Sequence, residues 1–124
     1  MKFARYTFLI AGIYGLLILL PHYFMEGQIG RDHPPAITHS EYFYGFVGVA
    51  VAFQIVFLII AKDPIRYRLM IIPSIVEKFS FAIPTAILFY SGNIPTPLFA
   101  GGMIDALLGI LFIASYFKLS KPAA

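Results

Sequence analysis

Residues 69–90, LMIIPSIVEKFSFAIPTAILFY, decide the fold. Over these 22 residues only Glu77 and Lys78 are charged. At 1.5 Å rise per residue a helix of this length crosses a hydrocarbon core about 30 Å thick. Three runs of the same character surround it, at residues 6–25, 42–61 and 97–117. None shows the strict apolar/polar alternation of a barrel strand, and open sheets cannot cross hydrocarbon, so the spanning elements are expected to be helices. The reading is an all-α protein, a four-transmembrane-helix bundle running antiparallel, up and down, as a single membrane domain over residues 1–124.

Composition agrees. The 124 residues are 60% hydrophobic and 12% charged, with a mean hydropathy of +0.84, whereas a soluble domain carries about a quarter charged residues. A water-soluble globule of this size is excluded, and the lipid bilayer is the expected partner. The chain has no cysteine, which removes disulfides, thiolate metal sites and a cysteine nucleophile. The net charge of +3 does not indicate nucleic acid, because the basic residues are scattered at the ends of apolar runs instead of clustered on one face. The first run follows Lys2 and Arg5 as a signal peptide would, but it continues through Leu16 to Leu20 without a small-residue cleavage site before Pro21, and is read as a retained helix.

Basic residues orient the bundle. Lys2, Arg5, Lys62, Arg66, Arg68, Lys118 and Lys121 fall on one side of a four-pass chain, with Arg31 alone on the other and Lys78 inside a run. Both termini are therefore expected to be cytoplasmic. Asp63-Pro64 ends the second run and keeps its link to the third short. The outer loop at residues 26–41 is long and contains Gly27, Gly30, Pro34 and Pro35; loops of that length tend to carry function.

Charge inside hydrocarbon costs about 2.5 to 3.5 kcal/mol per residue on insertion scales, so such groups turn inward and find partners. Helical rise places Glu77, Lys78 and Asp105 about 12, 14 and 18 Å from the cytoplasmic side, at one level. On the third run Ser74, Glu77, Lys78, Phe81 and Thr85 share a stripe, opposite Ile72, Ile75, Phe79 and Ile83. On the fourth, Gly101, Asp105 and Gly109 stack, joined by Phe112 and Tyr116, and small residues beside an acid let a neighbouring backbone approach. Gln54 lies about 10 Å deep in the second run, near the level of Glu77. The candidate ligand-binding set is thus Glu77, Lys78, Asp105, Gln54, Ser74, Phe81 and Tyr116. Glu77 and Asp105 are the candidate catalytic groups, since two acids against one base leave a carboxyl free for proton transfer. A structural ion pair holding the third and fourth helices together is the competing reading. Pro73 and Pro84 bracket the stripe and are each expected to remove a helical hydrogen bond.

At the outer surface a polar cluster is expected from His22, Glu41 and Tyr44, with His33 and His39 nearby and Ser40 as a helix cap. Three histidines and a carboxylate can hold zinc, but their spacing matches no zinc motif. Neither metal nor cofactor is expected. The tyrosines at 6, 23, 42, 44, 90 and 116 lie near run ends, as an aromatic belt requires.

Four short helices, a long first outer loop, the acid and Tyr-Gly of Glu41 to Gly45, the basic Asp-Pro turn of Lys62 to Arg68, and Asp105 ahead of Gly109 and Phe112 together resemble the small bacterial four-helix membrane proteins of the DoxX-like group. The resemblance covers nearly the whole chain and is one of layout. It implies the four-helix fold and a bacterial inner membrane location, and leaves the activity open. The function expected is a cavity among the second to fourth helices, with a polar floor of Glu77, Lys78 and Asp105, that holds a lipid-like or small apolar molecule. A membrane enzyme doing acid/base chemistry on a lipophilic substrate, and an accessory subunit facing a larger membrane-protein partner, are the alternatives.

Overall fold

The computed structural model describes residues 1–32 and 34–119. His33 and Lys121, which enter the reading above, lie outside the described residues. Five α-helices are seen among the described residues, and no strand: α1 (Lys2–Leu19), α2 (Glu26–Asp32), α3 (Ser40–Lys62), α4 (Ile71–Tyr90) and α5 (Thr96–Lys118). Short 3-10 turns extend α1 over Leu20–Phe24 and precede α4 over Arg68–Met70. With those turns included, Lys2–Phe24, Ser40–Lys62, Arg68–Tyr90 and Thr96–Lys118 are each 23 residues long and apolar enough to cross a membrane. No more than 28% of the most apolar part of any of them is buried within the protein. Leu17, Phe24, Ile87 and Tyr90 are among the large side chains turned outward, a surface suited to lipid and not to water.

Local chemistry sets the ends of these helices. Pro64 disfavours helical backbone at the residue before it, and Asp63 accordingly turns extended, with φ −150° and ψ 81°. Its side chain then accepts the Arg66 amide at 3.2 Å. Gly92, at φ 77°, closes α4: the Asn93 amide donates to the Leu88 carbonyl at 2.9 Å and the Gly92 amide to that of Phe89 at 3.0 Å, the paired pattern that only a left-handed residue allows. Pro97 sits in the first turn of α5, where its missing N–H is no loss.

Two expectations need correction here. The 26–41 segment is not all loop, because Glu26 in the first turn and Arg31 in the last turn of α2 complement a helix dipole. Pro73 removes no helical bond, because α4 begins at Ile71 and the first four amides of a helix have no intrahelical partner. Pro84 is the interior proline of α4.

Packing is mainly α1 on α3 and α4 on α5, with α1 also touching α5. At one end of the bundle Phe8, Phe57 and Phe112, all fully buried, form an aromatic core. The Phe8 and Phe112 rings stack at 4.1 Å, and Phe57 meets Phe112 edge-on at 4.9 Å. Between apolar helices in lipid such contacts act through close packing, since lipid chains are as apolar as the side chains they replace. The same end is fastened by cations. Arg5 Nε donates to the Ala61 carbonyl at 3.2 Å. Arg68 Nε donates to the Tyr116 carbonyl at 3.1 Å, with its guanidinium 3.8 Å from the centre of the Tyr116 ring. Lys118 Nζ lies 4.3 Å from the centre of the Phe3 ring.

Candidate functional site

Lys78 reaches across from α4 to α5, where its Nζ donates to Asp105 Oδ1 at 3.3 Å. Glu77 Oε2 lies 3.7 Å from the same ammonium. The side chain of Lys78 is 5% exposed, against 16% for Glu77 and 21% for Asp105, so the cation is sealed while both acids retain an open side. Below it, the Phe57 ring centre is 5.1 Å from Nζ, which adds a cation–π contact to the ion pairs. The three charged residues thus lie directly above the aromatic core.

Above them opens a cavity of about 360 Å³, within the range of small-molecule sites. Glu77, Lys78 and Asp105 form its floor; Phe46, Phe81 and Leu98 are among its apolar walls, and Ile29 of α2 and His22 also line it. Gln54 lines it as well, almost fully buried, with Nε2 donating to the Ala50 carbonyl at 2.8 Å. Neither Gln54 Oε1 nor Glu77 Oε2 accepts a hydrogen bond, although both atoms are buried.

The structure therefore brings together five of the seven residues of the candidate ligand set: Glu77, Lys78, Asp105, Gln54 and Phe81. Ser74 and Tyr116 do not reach the cavity. The Ser74 hydroxyl is buried and turned back to the Met70 carbonyl at 2.8 Å, and Tyr116 serves the Arg68 contact at the aromatic end. Phe79, placed by angle on the face opposite Lys78, packs toward α5, because a Cβ on Gly109 would come within 2.7 Å of its ring.

The cavity is also not confined to the second to fourth spanning helices. Tyr14, Gly15, Ile18 and Leu19 of α1 line it. Gly15 makes this possible: a Cβ there would fall 1.9 Å from Gln54 Oε1, so the glycine leaves the notch into which the buried amide fits. The Gly12 to Gly15 spacing on one face of α1 was the available sign, since small residues mark close helix approach in membranes.

The expected outer cluster divides. His22 lines the cavity and its Nδ1 donates to the Ile18 carbonyl at 2.7 Å. Glu41 instead pairs with His39 Nδ1 at 3.1 Å, and the Tyr44 hydroxyl points to the Tyr23 carbonyl at 3.5 Å. Ser40 is not a cap. The residue before the helix is His39, without a side-chain cap, and the Ser40 hydroxyl donates to Glu26, tying α3 to α2. Among the described residues no three His, Asp or Glu side chains converge as a metal site would require.

The chain matches no protein-family model, no characterised protein and no solved structure.

Proposed function

We propose that this is a multi-pass membrane protein of the DoxX-like kind, from a bacterial inner membrane, that holds a lipid-like or small apolar molecule in the cavity above Glu77, Lys78 and Asp105. The observation that carries the reading is the combination of apolar walls with a charged floor in one space of about 360 Å³. A purely structural ion pair does not need the space beside it. The acid/base enzyme is the second reading, supported by the second carboxyl: Asp105 takes the Lys78 hydrogen bond, and Glu77, which accepts no hydrogen bond from Lys78, also lines the cavity.

The test of occupancy uses Gly101. A Cβ there would meet nothing within 4 Å and Gly101 lines the cavity, so Gly101→Leu is the substitution chosen to fill the space. The full chain, purified from membranes in mild detergent, is expected to carry a co-purifying apolar molecule identifiable by mass spectrometry, and Gly101→Leu is expected to lose it. Equal recovery from both proteins would contradict the reading.

An up-and-down arrangement with cytoplasmic termini belongs to the same proposal. It is supported by the Arg5–Ala61, Arg68–Tyr116 and Lys118–Phe3 contacts, which gather the start of α1, the end of α3, the start of α4 and the end of α5. Because the chain has no cysteine, Arg31→Cys and Arg66→Cys each supply a single label site, and both positions are exposed. An impermeant thiol reagent applied to intact cells is expected to label position 31 and not position 66; labelling of both from outside would overturn the orientation.

A further inference from the structure

A groove of about 350 Å³ runs along the seam between α1 and α5, and it shares no lining residue with the cavity above Glu77. Tyr6 and Ile10 of α1 and Leu108 and Leu111 of α5 line it, with Lys2 and Phe3 at one end. Lys2, Tyr6 and Ile10 are four residues apart in turn, so they form one stripe of α1 about 12 Å long. Lys118 follows Leu111 by two helical turns and returns to the same face of α5. Its Nζ lies 4.3 Å from the centre of the Phe3 ring, so α5 delivers a cation to the end of the groove where α1 delivers Lys2. Tyr6 and Ile10 are exposed on helices long and apolar enough to cross a membrane, which turns the groove toward lipid.

The two lysines are the groove's own cations. Arg5 is turned away to the Ala61 carbonyl and Arg68 to that of Tyr116. Among the described residues no carboxylate pairs with Lys2 or Lys118, and a cation–π contact leaves ammonium N–H groups of Lys118 able to meet an anion. An unfilled apolar recess forfeits the dispersion contacts of its walls, and acyl chains of the surrounding lipid are what can enter it. Basic pockets between membrane helices recognise anionic head groups. A second lipid-facing groove on α4, lined by Ile75, Val76, Phe79 and Ile83 among others, contains no charged residue.

We propose that the α1–α5 groove binds an anionic phospholipid. One acyl chain lies along Tyr6, Ile10, Leu108 and Leu111, and the phosphate meets Lys2 and Lys118. The head group's net charge decides which lipid is held. Phosphatidylcholine carries its own cation, which offsets the attraction of the lysines, whereas phosphatidylglycerol presents a phosphate alone. The assignment stands whatever the cavity above Glu77 holds.

The chain has no tryptophan, so a single introduced indole reports without background. Ile10→Trp reads the α1–α5 groove and Ile83→Trp the uncharged groove on α4; both positions are exposed. Each full-length protein is reconstituted in phosphatidylcholine bilayers containing phosphatidylcholine or phosphatidylglycerol brominated on its chains, and quenching gives the relative affinity of the two lipids. At Ile10→Trp phosphatidylglycerol is expected to be preferred by about fivefold or more, the scale of one lysine beside an anionic lipid. At Ile83→Trp the two lipids are expected to quench alike. Lys2→Gln with Lys118→Gln in the Ile10→Trp protein is expected to abolish the preference. Lys62→Gln, an exposed position at the same end of the bundle but outside the groove, is expected to leave it intact. Should the double variant not fold, Lys2→Gln alone is expected to lower the preference. Equal quenching by both lipids at Ile10→Trp, an equal preference at Ile83→Trp, or a preference that survives loss of the lysines would overturn the assignment. Absence of quenching at Ile10→Trp by either lipid would overturn it too, by showing that lipid does not enter the groove.

Discussion

Lys78→Met is expected to destabilise the bundle by about 3 to 5 kcal/mol near neutral pH, the scale measured when one partner of a buried ion pair is removed. The methionine fills similar space and keeps the contact with Phe57, so the loss isolates the charge. It leaves Glu77 and Asp105 side by side, each having been held by the same ammonium at 3.7 and 3.3 Å. Lowering the pH supplies the protons that neutralise them, and a neutral carboxyl can donate to the other. The deficit relative to wild type is therefore expected to shrink in acid and to widen as the pH rises. Unfolding in mixed micelles at pH 5 and pH 8 reads this directly; a deficit independent of pH would mean that the three groups do not share one electrostatic site. Asp105→Asn is expected to be milder, since Lys78 retains Glu77.

The second large effect separates two adjacent glycines. Gly102 is buried against α4, and a Cβ there would lie 2.8 Å from Thr85 Cγ2 and 3.0 Å from its Cβ. Those atoms sit at the base of a β-branched side chain and cannot swing away. Gly102→Leu must part α4 from α5, at a cost of about 1 to 3 kcal/mol or more, as overpacking does. Gly101→Leu, one residue away, enters open space and replaces glycine by a better helix former. It is expected to fold at least as stably as wild type while blocking the cavity. Thermal unfolding of the two variants in one detergent checks the contrast, and equal destabilisation would show that the space beside Gly101 is closed.

Much of this was legible before any coordinates. Four apolar runs of spanning length are visible because lipid demands them, and the agreement in depth of Glu77, Lys78 and Asp105 follows from a fixed rise per residue. The helical stripe correctly turned Lys78 and Asp105 toward each other. It failed where a face had to be matched to a neighbour: angle alone does not say that Phe79 meets α5, that Tyr116 receives Arg68, or that α1 forms a wall of the cavity. Those depend on how closely helices approach, and the approach depends on glycines such as Gly15, whose role emerges only beside Gln54. The helix at Glu26–Asp32 was hidden for another reason. Seven residues containing two glycines form a poor helix alone, and the order there draws on contacts from elsewhere in the fold, such as Ser40 to Glu26.

The most direct measurement is an experimental density map of the full chain in native lipid, resolved to side chains. It is expected to show elongated non-protein density between α1, α3, α4 and α5, with its polar end beside Glu77 and with Asp105 joined to Lys78. A cavity closed by its own side chains, or an Asp105 carboxyl turned to the lipid and away from Lys78, would contradict a ligand-holding site on a charged floor.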